Sequence, residues 1–157
     1  MRIIMTETDP ADRYRTNLRG EIDSAGLYRA LAEAEADPTL KRIYTRLAAV
    51  EEAHAEYWRK ELARIGAKVG PQRPGWRTRA LAWLARRFGP QFVLPTITML
   101  ERRDSGQYDS QPEAVARGLP EAERSHQRII EAVAGGMPGG VAGGTLAQIE
   151  GRHRAGG

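Results

Sequence analysis

The sequence predicts an all-α protein with four main helices and a short amphipathic helix between the second and the third. Apolar residues recur every three or four positions, Asp-Pro pairs precede two of these periodic stretches, and no stretch alternates polar and apolar residues as a strand would. The composition, 41% hydrophobic and 28% charged over 157 residues, is typical of a single soluble globular domain.

The first two helices are predicted from repeated start signals. Asp9 and Asp37 each precede a proline, and aspartate caps a helix whose first turn tolerates proline. We expect the first helix to run to about residue 36 and the second to end at Gly66. Their inward faces carry Leu18, Ile22, Ala25, Tyr28 and Leu31 on the first helix, and Leu40, Ile43, Leu47, Val50, Trp58 and Leu62 on the second.

Proline and glycine divide the rest of the chain. We expect a linker over 68–75, an amphipathic helix over 76–88, a third long helix over 91–109 and the last over 120–134. Paired glycines follow and predict a flexible tail. The chain therefore divides into a helical bundle at 1–134, with a basic linker and amphipathic helix at 66–90, and a Gly-rich tail at 135–157.

Acidic residues on the inward faces predict the chemistry. A buried carboxylate without compensation is costly, yet every long helix carries one in register with its apolar residues, and two helices add a histidine three residues later on the same side. Two Glu-x-x-His motifs with two lone glutamates form the ligand set of two-metal carboxylate sites in four-helix bundles. The six residues are Glu21, Glu51, His54, Glu101, Glu123 and His126.

These six residues are predicted both to bind two metal ions and to act in catalysis. Glu51 and Glu123, each beside a histidine, are assigned as bridging ligands, and Glu21 and Glu101 as terminal ones. Oxygen and imidazole donors favour two iron ions, with manganese or zinc as substitutes. The absence of cysteine excludes disulfides, thiolate metal sites and cysteine catalysis.

An internal repeat supports the two half-sites. Residues 21–28 and 101–108 share the pattern E-x4-G-x-Y, and each copy precedes a Glu-x-x-His helix, which indicates a duplicated helical hairpin. We expect Tyr28 and Tyr108 either to hydrogen-bond ligand carboxylates or to fill the core. The glycine of each copy would cost about 1 kcal/mol in a helix interior, so close helix packing is expected there.

Weaker candidates and plainer interpretations remain beside this one. A single Glu-x-x-His is compatible with a solvated glutamate and a hydrogen-bonded core histidine. Asp104, one turn beyond Glu101, is either a further ligand or a surface residue. The third copy of the motif, Glu150 with His153, lies among glycines and is interpreted as part of the tail.

The pattern resembles the ferritin-like superfamily, and within it the rubrerythrin-type bundle. From about residue 14 to the end, the chain resembles more closely the ferritin-like domain that precedes a vacuolar-iron-transporter-type membrane domain, in the membrane-bound ferritin or erythrin–vacuolar iron transporter family. Besides the six candidate ligands, the resemblance rests on the stretch RRFGPQFVLP at 86–95 and the ending GRHRAGG at 151–157.

This resemblance implies a di-iron centre that binds and oxidises Fe(II) with O2 or peroxide, a homodimer, and a role in moving iron out of the cytosol. It also implies a cytoplasmic domain, at the cytoplasmic face of the membrane in a full-length protein. The membrane domain is absent from these 157 residues, so we expect transport to lie elsewhere and the tail to be a connector. Alternatives are an iron-sensing domain without turnover and a rubrerythrin-like peroxide-reducing enzyme, although the latter's cysteine-rich rubredoxin module is missing.

The charge distribution bears on possible partners. The net charge is +4 and the pI about 9.8, which would suggest nucleic acid. Residues 66–103, however, contain eight Lys and Arg and one Glu, a net +7, which leaves −3 for the rest. We therefore expect no nucleic-acid partner. Trp76, Trp83 and Phe88 alternate with arginines along 76–88, so this helix either contacts an anionic membrane surface or covers the bundle or a dimer partner.

Overall fold

The structure, a computed structural model, describes residues 9–136, and this part of the chain contains six helices and no strand. The prediction of an all-α fold is confirmed. The helices are α1 (Pro10–Ala34), α2 (Pro38–Arg64), α3 (Trp76–Phe88), α4 (Pro90–Asp104), α5 (Pro112–Ala116) and α6 (Leu119–Ala134). The predicted tail, including Glu150 and His153, lies outside the described residues except for 135 and 136.

The bundle consists of two helical hairpins joined by α3. Helix α1 packs along α2, and α4 packs against α6, while α3 lies against both α1 and α4. This arrangement is that of a ferritin-like four-helix bundle with an added connector helix. Not one helix in the described range 9–136 is both long enough and apolar enough to cross a membrane.

The predicted start signals act as helix caps. The Asp9 carboxylate accepts a hydrogen bond from the backbone N–H of Ala11 at 3.1 Å, and Asp37 accepts from Thr39 and Leu40 at 2.7 and 3.2 Å. These bonds satisfy N–H groups that have no partner within the helix.

Two apolar layers fill the bundle, one on each side of the polar residues. One layer contains Leu31, Leu47, Val93, Ile97 and Ile130 among others, and the second contains Tyr14, Leu18, Trp58, Tyr108 and Leu119 among others. Along α1, α2 and α6 the chain passes from one layer to the other, and the inward glutamate lies at the crossing. Helix α4 contributes to the first layer alone, and after Glu101 the chain reaches the second layer at Tyr108, in the turn beyond the helix. The fold therefore places four carboxylates between two dry layers.

Two helix ends differ from the sequence prediction. Helix α1 ends at Ala34 because Glu35 is extended and its carboxylate accepts the Asp37 backbone N–H at 3.0 Å. Helix α4 ends at Asp104 rather than at residue 109, because Gln107 and Asp109 donate to backbone carbonyls only three residues back, at 3.0 and 3.2 Å, in consecutive turns. Tyr108 therefore lies in a turn, and α5 is a short helix that periodicity did not predict.

The expectation of close helix packing at the repeat glycines is wrong in detail. A Cβ on Gly26 would lie 2.9 Å from Cγ of Pro74, so the close neighbour is the linker rather than a helix. Gly106 lies in the turn after α4, where the nearest atom to such a Cβ is an Asp109 carboxylate oxygen at 3.6 Å. It needs no compensation for a helix interior, because it is not in one.

Candidate metal centre

Each main helix brings one glutamate into the polar layer between the two apolar layers. Glu21 on α1, Glu51 on α2 and Glu123 on α6 are buried, and Glu101 on α4 is partly buried. The histidines three residues after Glu51 and Glu123 point to the same layer because that spacing returns a side chain to the same helix face. His126 is buried and His54 nearly so.

Four of the six predicted residues form a compact group. Ligand atoms of Glu21, Glu51, His54 and Glu123 all lie within 4.8 Å of one another. The Nδ1 atom of His54 is 3.6 Å from Oε2 of Glu21, 3.7 Å from Oε2 of Glu51 and 3.8 Å from Oε1 of Glu123. An imidazole nitrogen and three carboxylate oxygens thus converge on one volume.

The other two predicted residues flank this group. Nδ1 of His126 is 2.6 Å from Oε1 of Glu51, so Glu51 faces both histidines through its two oxygens. The His54 and His126 rings lie 6.1 Å apart and nearly parallel. Glu101 lies outside the compact group, and its carboxylate accepts a hydrogen bond from the Tyr28 hydroxyl at 2.8 Å. The structure thus places all six on one layer, with Glu51 at its centre.

The two repeat tyrosines cross between the hairpins. Tyr28 donates to Glu101, which belongs to the other copy of the repeat, and Tyr108 donates in turn to Glu21. Each tyrosine thus orients the lone glutamate of the opposite hairpin, as expected of residues that support metal ligands. Both hydroxyls therefore bond carboxylates, besides filling the core.

Asp104 lies outside the compact group of ligand atoms. It is the last residue of α4 and is exposed, and its carboxylate lies 3.7 Å from the Arg103 guanidinium. The surface interpretation therefore fits its position.

Burial and mutual repulsion raise the pKa of three of the carboxyl groups. Burial, reinforced by the charge of Glu51, raises the pKa of Glu21 and of Glu123 well above the usual value. The same causes raise the pKa of Glu101 to about 7. Burial disfavours the charged form of a carboxyl group, and a neighbouring negative charge disfavours it further.

The pKa values of His54 and Glu51 are shifted in the directions that favour their charged forms. Burial alone would lower the pKa of His54, but its contacts with Glu21 and Glu51 outweigh burial and raise it to about 10. Burial alone would raise the pKa of Glu51, but the nearby His126 and its contacts with Glu21 and His54 hold it well below its usual range. In the cluster without metal, these pKa shifts favour the ionised form of Glu51 and the protonated forms of His54, Glu21 and Glu123.

The residues present fit a bound metal ion. Oε2 of Glu51, Nδ1 of His54 and Oε1 of Glu123 are buried and have no hydrogen-bond partner. Buried polar atoms are almost always partnered, and three such atoms aimed at one volume are what a cation would satisfy. Carboxylates with imidazoles are donors that suit iron, manganese or zinc.

Residues that the sequence reasoning missed surround the cluster on one side. Asn17 and Gln111 form a buried amide pair, with Nδ2 of Asn17 2.6 Å from Oε1 of Gln111, that ties α1 to the start of α5. The Trp58 ring stacks on Tyr108 with centroids 5.8 Å apart and contacts Tyr14 at 5.2 Å. The position of Asn17 one turn before Glu21 on the same helix face could have indicated the buried amide pair. The contact of Trp58 with Tyr108, in contrast, depends on the turn after α4, which the sequence did not predict.

The chain is similar to two curated proteins. It is 32% identical over 133 residues to the 3-demethoxyubiquinol 3-hydroxylase of Paraburkholderia xenovorans strain LB400 and 30% identical over 133 residues to that of Paraburkholderia phytofirmans strain PsJN. Each alignment covers 80% of this chain and 61% of the relative, so the chain spans about three fifths of their length. No family model and no solved structure matches the chain.

Together with the bundle and its carboxylate–histidine cluster, these similarities support the ferritin-like di-iron superfamily. Neither relative is named as a ferritin or a transporter, so the closer resemblance to the membrane-bound ferritins receives no support from them.

Proposed function

We propose that this chain binds two iron ions in the carboxylate–histidine cluster and oxidises Fe(II) with O2 or peroxide. The observation that carries the proposal is the meeting of two Glu-x-x-His motifs and two further glutamates from four helices in one buried layer. When bound there, a pair of iron ions supplies two electrons to the oxidant at a single site.

The chain's own residues hold and orient the metal pair. Glu51, which faces both histidines, and Glu123 would bind the metal ions. Glu21 and Glu101 would bind them as well, and a tyrosine hydroxyl from the opposite hairpin hydrogen-bonds each of these two carboxylates. A ligand held by a hydrogen bond keeps its orientation when the metal changes its charge.

The burial of the site and the protonation of its ligands also affect metal binding. The apolar layers on either side exclude water, which strengthens every charge interaction within the site. Metal ligands bind deprotonated, so Glu21, Glu101 and Glu123 release protons as cations enter, and His54 does the same.

A second candidate is a hydroxylase that uses the same iron pair on an organic substrate. It is favoured by the similarity to two proteins named 3-demethoxyubiquinol 3-hydroxylase, which extends over 80% of this chain. An iron sensor and a peroxide-reducing enzyme are the further alternatives. The four functions differ in which reactant sustains repeated oxidation: excess Fe(II), an organic substrate, peroxide, or none.

The test follows Fe(II) oxidation at two iron ions per chain and then at a large excess. The proposal predicts repeated turnover when Fe(II) and the oxidant are the only reactants. The rate of Fe(II) oxidation should fall at least tenfold in Glu101→Gln but not in Asp104→Asn, which changes an exposed acid three residues further on. A sensor would stop after the bound iron is oxidised, and a peroxide-reducing enzyme would require peroxide over O2. A hydroxylase would oxidise a demethoxyubiquinol in step with O2, which would overturn the proposal.

We also propose that the domain serves iron homeostasis as the cytoplasmic partner of a vacuolar-iron-transporter-type exporter. The support is the resemblance of residues 86–95 and 151–157 to that fusion family. Iron oxidised or bound in the bundle would then be held next to the exporter at the cytoplasmic face of the membrane. Purification of the protein from a membrane fraction tests this arrangement: recovery of an exporter with it supports the proposal, and recovery without one contradicts it.

The outer face of α3 is the candidate surface for a partner. Trp76, Trp83 and Phe88 are more than half exposed, and arginine guanidinium groups lie over the first and last of these rings, at 5.3 and 5.2 Å. We propose that this face contacts anionic lipid headgroups, because exposed aromatics next to arginines match that chemistry. A homodimer through the same face is the alternative.

A further inference from the structure

A buried pair of amide side chains lies one helical turn from the cluster. Asn17 donates from Nδ2 to Oε1 of Gln111 at 2.6 Å, and Gln111 donates in return from Nε2 to Oδ1 of Asn17 at 3.3 Å. Both side chains are buried, and Leu18 and Ala114 close to them in sequence belong to the second apolar layer. Two apolar residues of matching shape would pack there at little or no cost, so the value of the pair lies in the geometry that it fixes.

Gln111 also holds the turn that carries Tyr108. Its side chain donates a further bond to the backbone carbonyl of Gln107 at 3.0 Å, and its backbone N–H donates to the carbonyl of Tyr108 at 3.1 Å. Tyr108 in turn donates its hydroxyl to Glu21, one helical turn after Asn17 on α1. These bonds form a closed ring that begins and ends on α1.

The two repeat tyrosines differ in what fixes their direction. Tyr28 lies within α1, where the helix backbone determines where a side chain points. Tyr108 lies beyond the end of α4, in consecutive turns over residues 105–110, where no helical register does so. One lone glutamate is therefore supported from a helix, and the other from a turn that is held to α1 through the amide pair.

Two ion pairs also tie this part of the chain to its neighbours. Arg13 pairs with Glu113 at 2.9 Å, and Arg124 pairs with Asp109 at 2.8 Å. All four side chains are partly exposed, and ion pairs in contact with water contribute little. The buried amide pair is thus better suited to hold the turn in one position.

We propose that Asn17 and Gln111 are positioning residues: their amide pair fixes the turn of Tyr108 and, through the Tyr108 hydroxyl, the orientation in which Glu21 binds a metal ion. The proposal rests on the metal binding proposed above. Glu21 belongs to the compact group of ligand atoms, and its Oε2 is 3.6 Å from Nδ1 of His54. A change in the orientation of this carboxylate therefore acts directly on the metal site.

The first test needs no metal. Gln111→Met keeps the length of the side chain and removes its amide. The backbone N–H groups of Gln107, Asp109 and residue 111 donate within the turn at 3.0, 3.2 and 3.1 Å, and their hydrogen exchange in the metal-free chain should accelerate at least tenfold. In the control Gln127→Met exchange should match the parent, because the Gln127 amide donates to Glu131 within α6. Unchanged exchange in Gln111→Met would overturn the proposal.

The second test establishes whether the amide pair acts through the Tyr108 hydroxyl. In anaerobic Fe(II) titrations, Gln111→Met and Tyr108→Phe should each bind iron at least tenfold more weakly than the parent, as is usual when the support of a ligand is lost. The double variant should bind within twofold of Tyr108→Phe alone, because the pair then has no hydroxyl to position. Losses that multiply would overturn the proposal, since they would indicate an effect on the fold alone.

Cobalt(II), bound anaerobically in place of iron, adds a spectroscopic signature. Its visible absorption depends on the arrangement of its ligands, so Gln111→Met and Tyr108→Phe should share one altered spectrum, and Gln127→Met should keep the spectrum of the parent. A loss of stability alone does not alter the spectrum of the folded, metal-bound chain. A parent-like spectrum in Gln111→Met would contradict the positioning role.

Asn17→Leu removes the amide pair from its other side and replaces Gln111→Met in all three tests if circular dichroism shows that the latter does not fold. The same directions of change are expected in it. If the parent chain binds neither iron nor cobalt, the proposed function fails and the positioning role fails with it. If the parent binds two metal ions but the loss of affinity in Gln111→Met persists in full on the Tyr108→Phe background, only the positioning role is wrong.

Discussion

At the scale of single residues, the crossed tyrosine hydrogen bonds connect the repeat to the site. The sequence left open whether Tyr28 and Tyr108 bond ligand carboxylates or fill the core, and it did not predict that each donates to the glutamate of the other copy. That pairing depends on how the two hairpins pack together. Spacing within one helix determines which residues share a face, and not what lies opposite them.

Tyr28→Phe is expected to weaken both the fold and the site. Removing the 2.8 Å bond to Glu101 leaves a partly buried carboxylate without its donor, which should cost about 1–3 kcal/mol in the free energy of unfolding. Iron affinity should fall by about 10–100-fold. Urea denaturation and anaerobic Fe(II) titration measure the two effects.

Tyr44→Phe is the control for that prediction. The Tyr44 hydroxyl is buried without a partner, so its removal should leave stability unchanged or raise it, and should not alter iron affinity. Equal losses in the two variants would show that the Tyr28 hydrogen bond has no special role.

The cluster should make the metal-free protein less stable as pH rises. Glu101 has a folded pKa of about 7 against an ordinary value of 4.5, so the folded state binds more protons than the unfolded state between these values and stability falls across this window. His54, raised to about 10 from 6.5, extends the fall to higher pH, because its stabilising charge is lost as pH passes that pKa.

Denaturant unfolding at a series of pH values from 5 to 9 measures this dependence. Glu101→Gln should flatten the part between pH 5 and 7, and saturating Fe(II) or Mn(II) should reverse the trend, because deprotonated ligands bind cations. Stability that rises over this range in the metal-free protein would contradict the proposed protonation of the cluster.

At the scale of elements, the helices were largely predictable because capping and periodicity are local. Asp9, Asp37 and the apolar register gave starts and faces for α1 and α2 that the structure confirms. The end of α4 and the short α5 were not predictable in this way. Tyr108 lies in the polypeptide turn that brings it to Glu21, and this long-range bond competes with helix propensity over residues 105–110.

Two glycines of α1 separate helix propensity from packing. At Gly20 an added Cβ meets nothing within 4 Å, so Gly20→Ala should stabilise the protein by about 0.5–1 kcal/mol. At Gly26 the same Cβ would lie 2.9 Å from Cγ of Pro74, so Gly26→Ala should lose this gain or destabilise the protein. Thermal unfolding of both variants measures these changes in stability. An equal stabilisation in the two variants would show that the linker does not pack against Gly26.

Helix α3 divides its residues between the bundle and the outside. Ala82 and Ala85 are buried with Leu81 and Leu84 partly buried behind them, which leaves the large aromatics outward. The sequence predicted the amphipathic helix but left the occupant of its outer face open, because a pattern within one helix does not identify what lies beyond it.

Co-sedimentation with vesicles tests the membrane proposal for α3. Binding should require anionic lipid, weaken with salt, and fall at least tenfold in Trp83→Glu, since burying a charge in the interface is costly. Val115→Glu, at an exposed apolar residue on α5, is the control and should bind as the parent does. Binding that ignores Trp83→Glu or lipid charge counts against membrane contact, and a dimer lost in the same variant would favour the homodimer.

At the scale of the whole molecule, the acidic cluster lies inside the bundle and the basic excess lies in one segment of the chain. The basic excess lies in residues 66–103, and the remainder of the chain is net negative around a buried cluster of acids. The apolar layers above and below isolate that cluster. Composition alone suggested nucleic acid, and the distribution of charge along the chain, which the sequence shows directly, pointed instead to cations inside and an anionic surface outside.

The number of iron ions bound per chain tests the central claim most directly. Anaerobic Fe(II) titration followed by metal analysis of the full chain should give two ions per chain, and Glu51→Ala, which removes the carboxylate facing both histidines, should bind one or none. Asp104→Asn should still bind two. No more than one iron ion in the parent chain, or an unchanged two in Glu51→Ala, would contradict a di-iron centre built on these six residues.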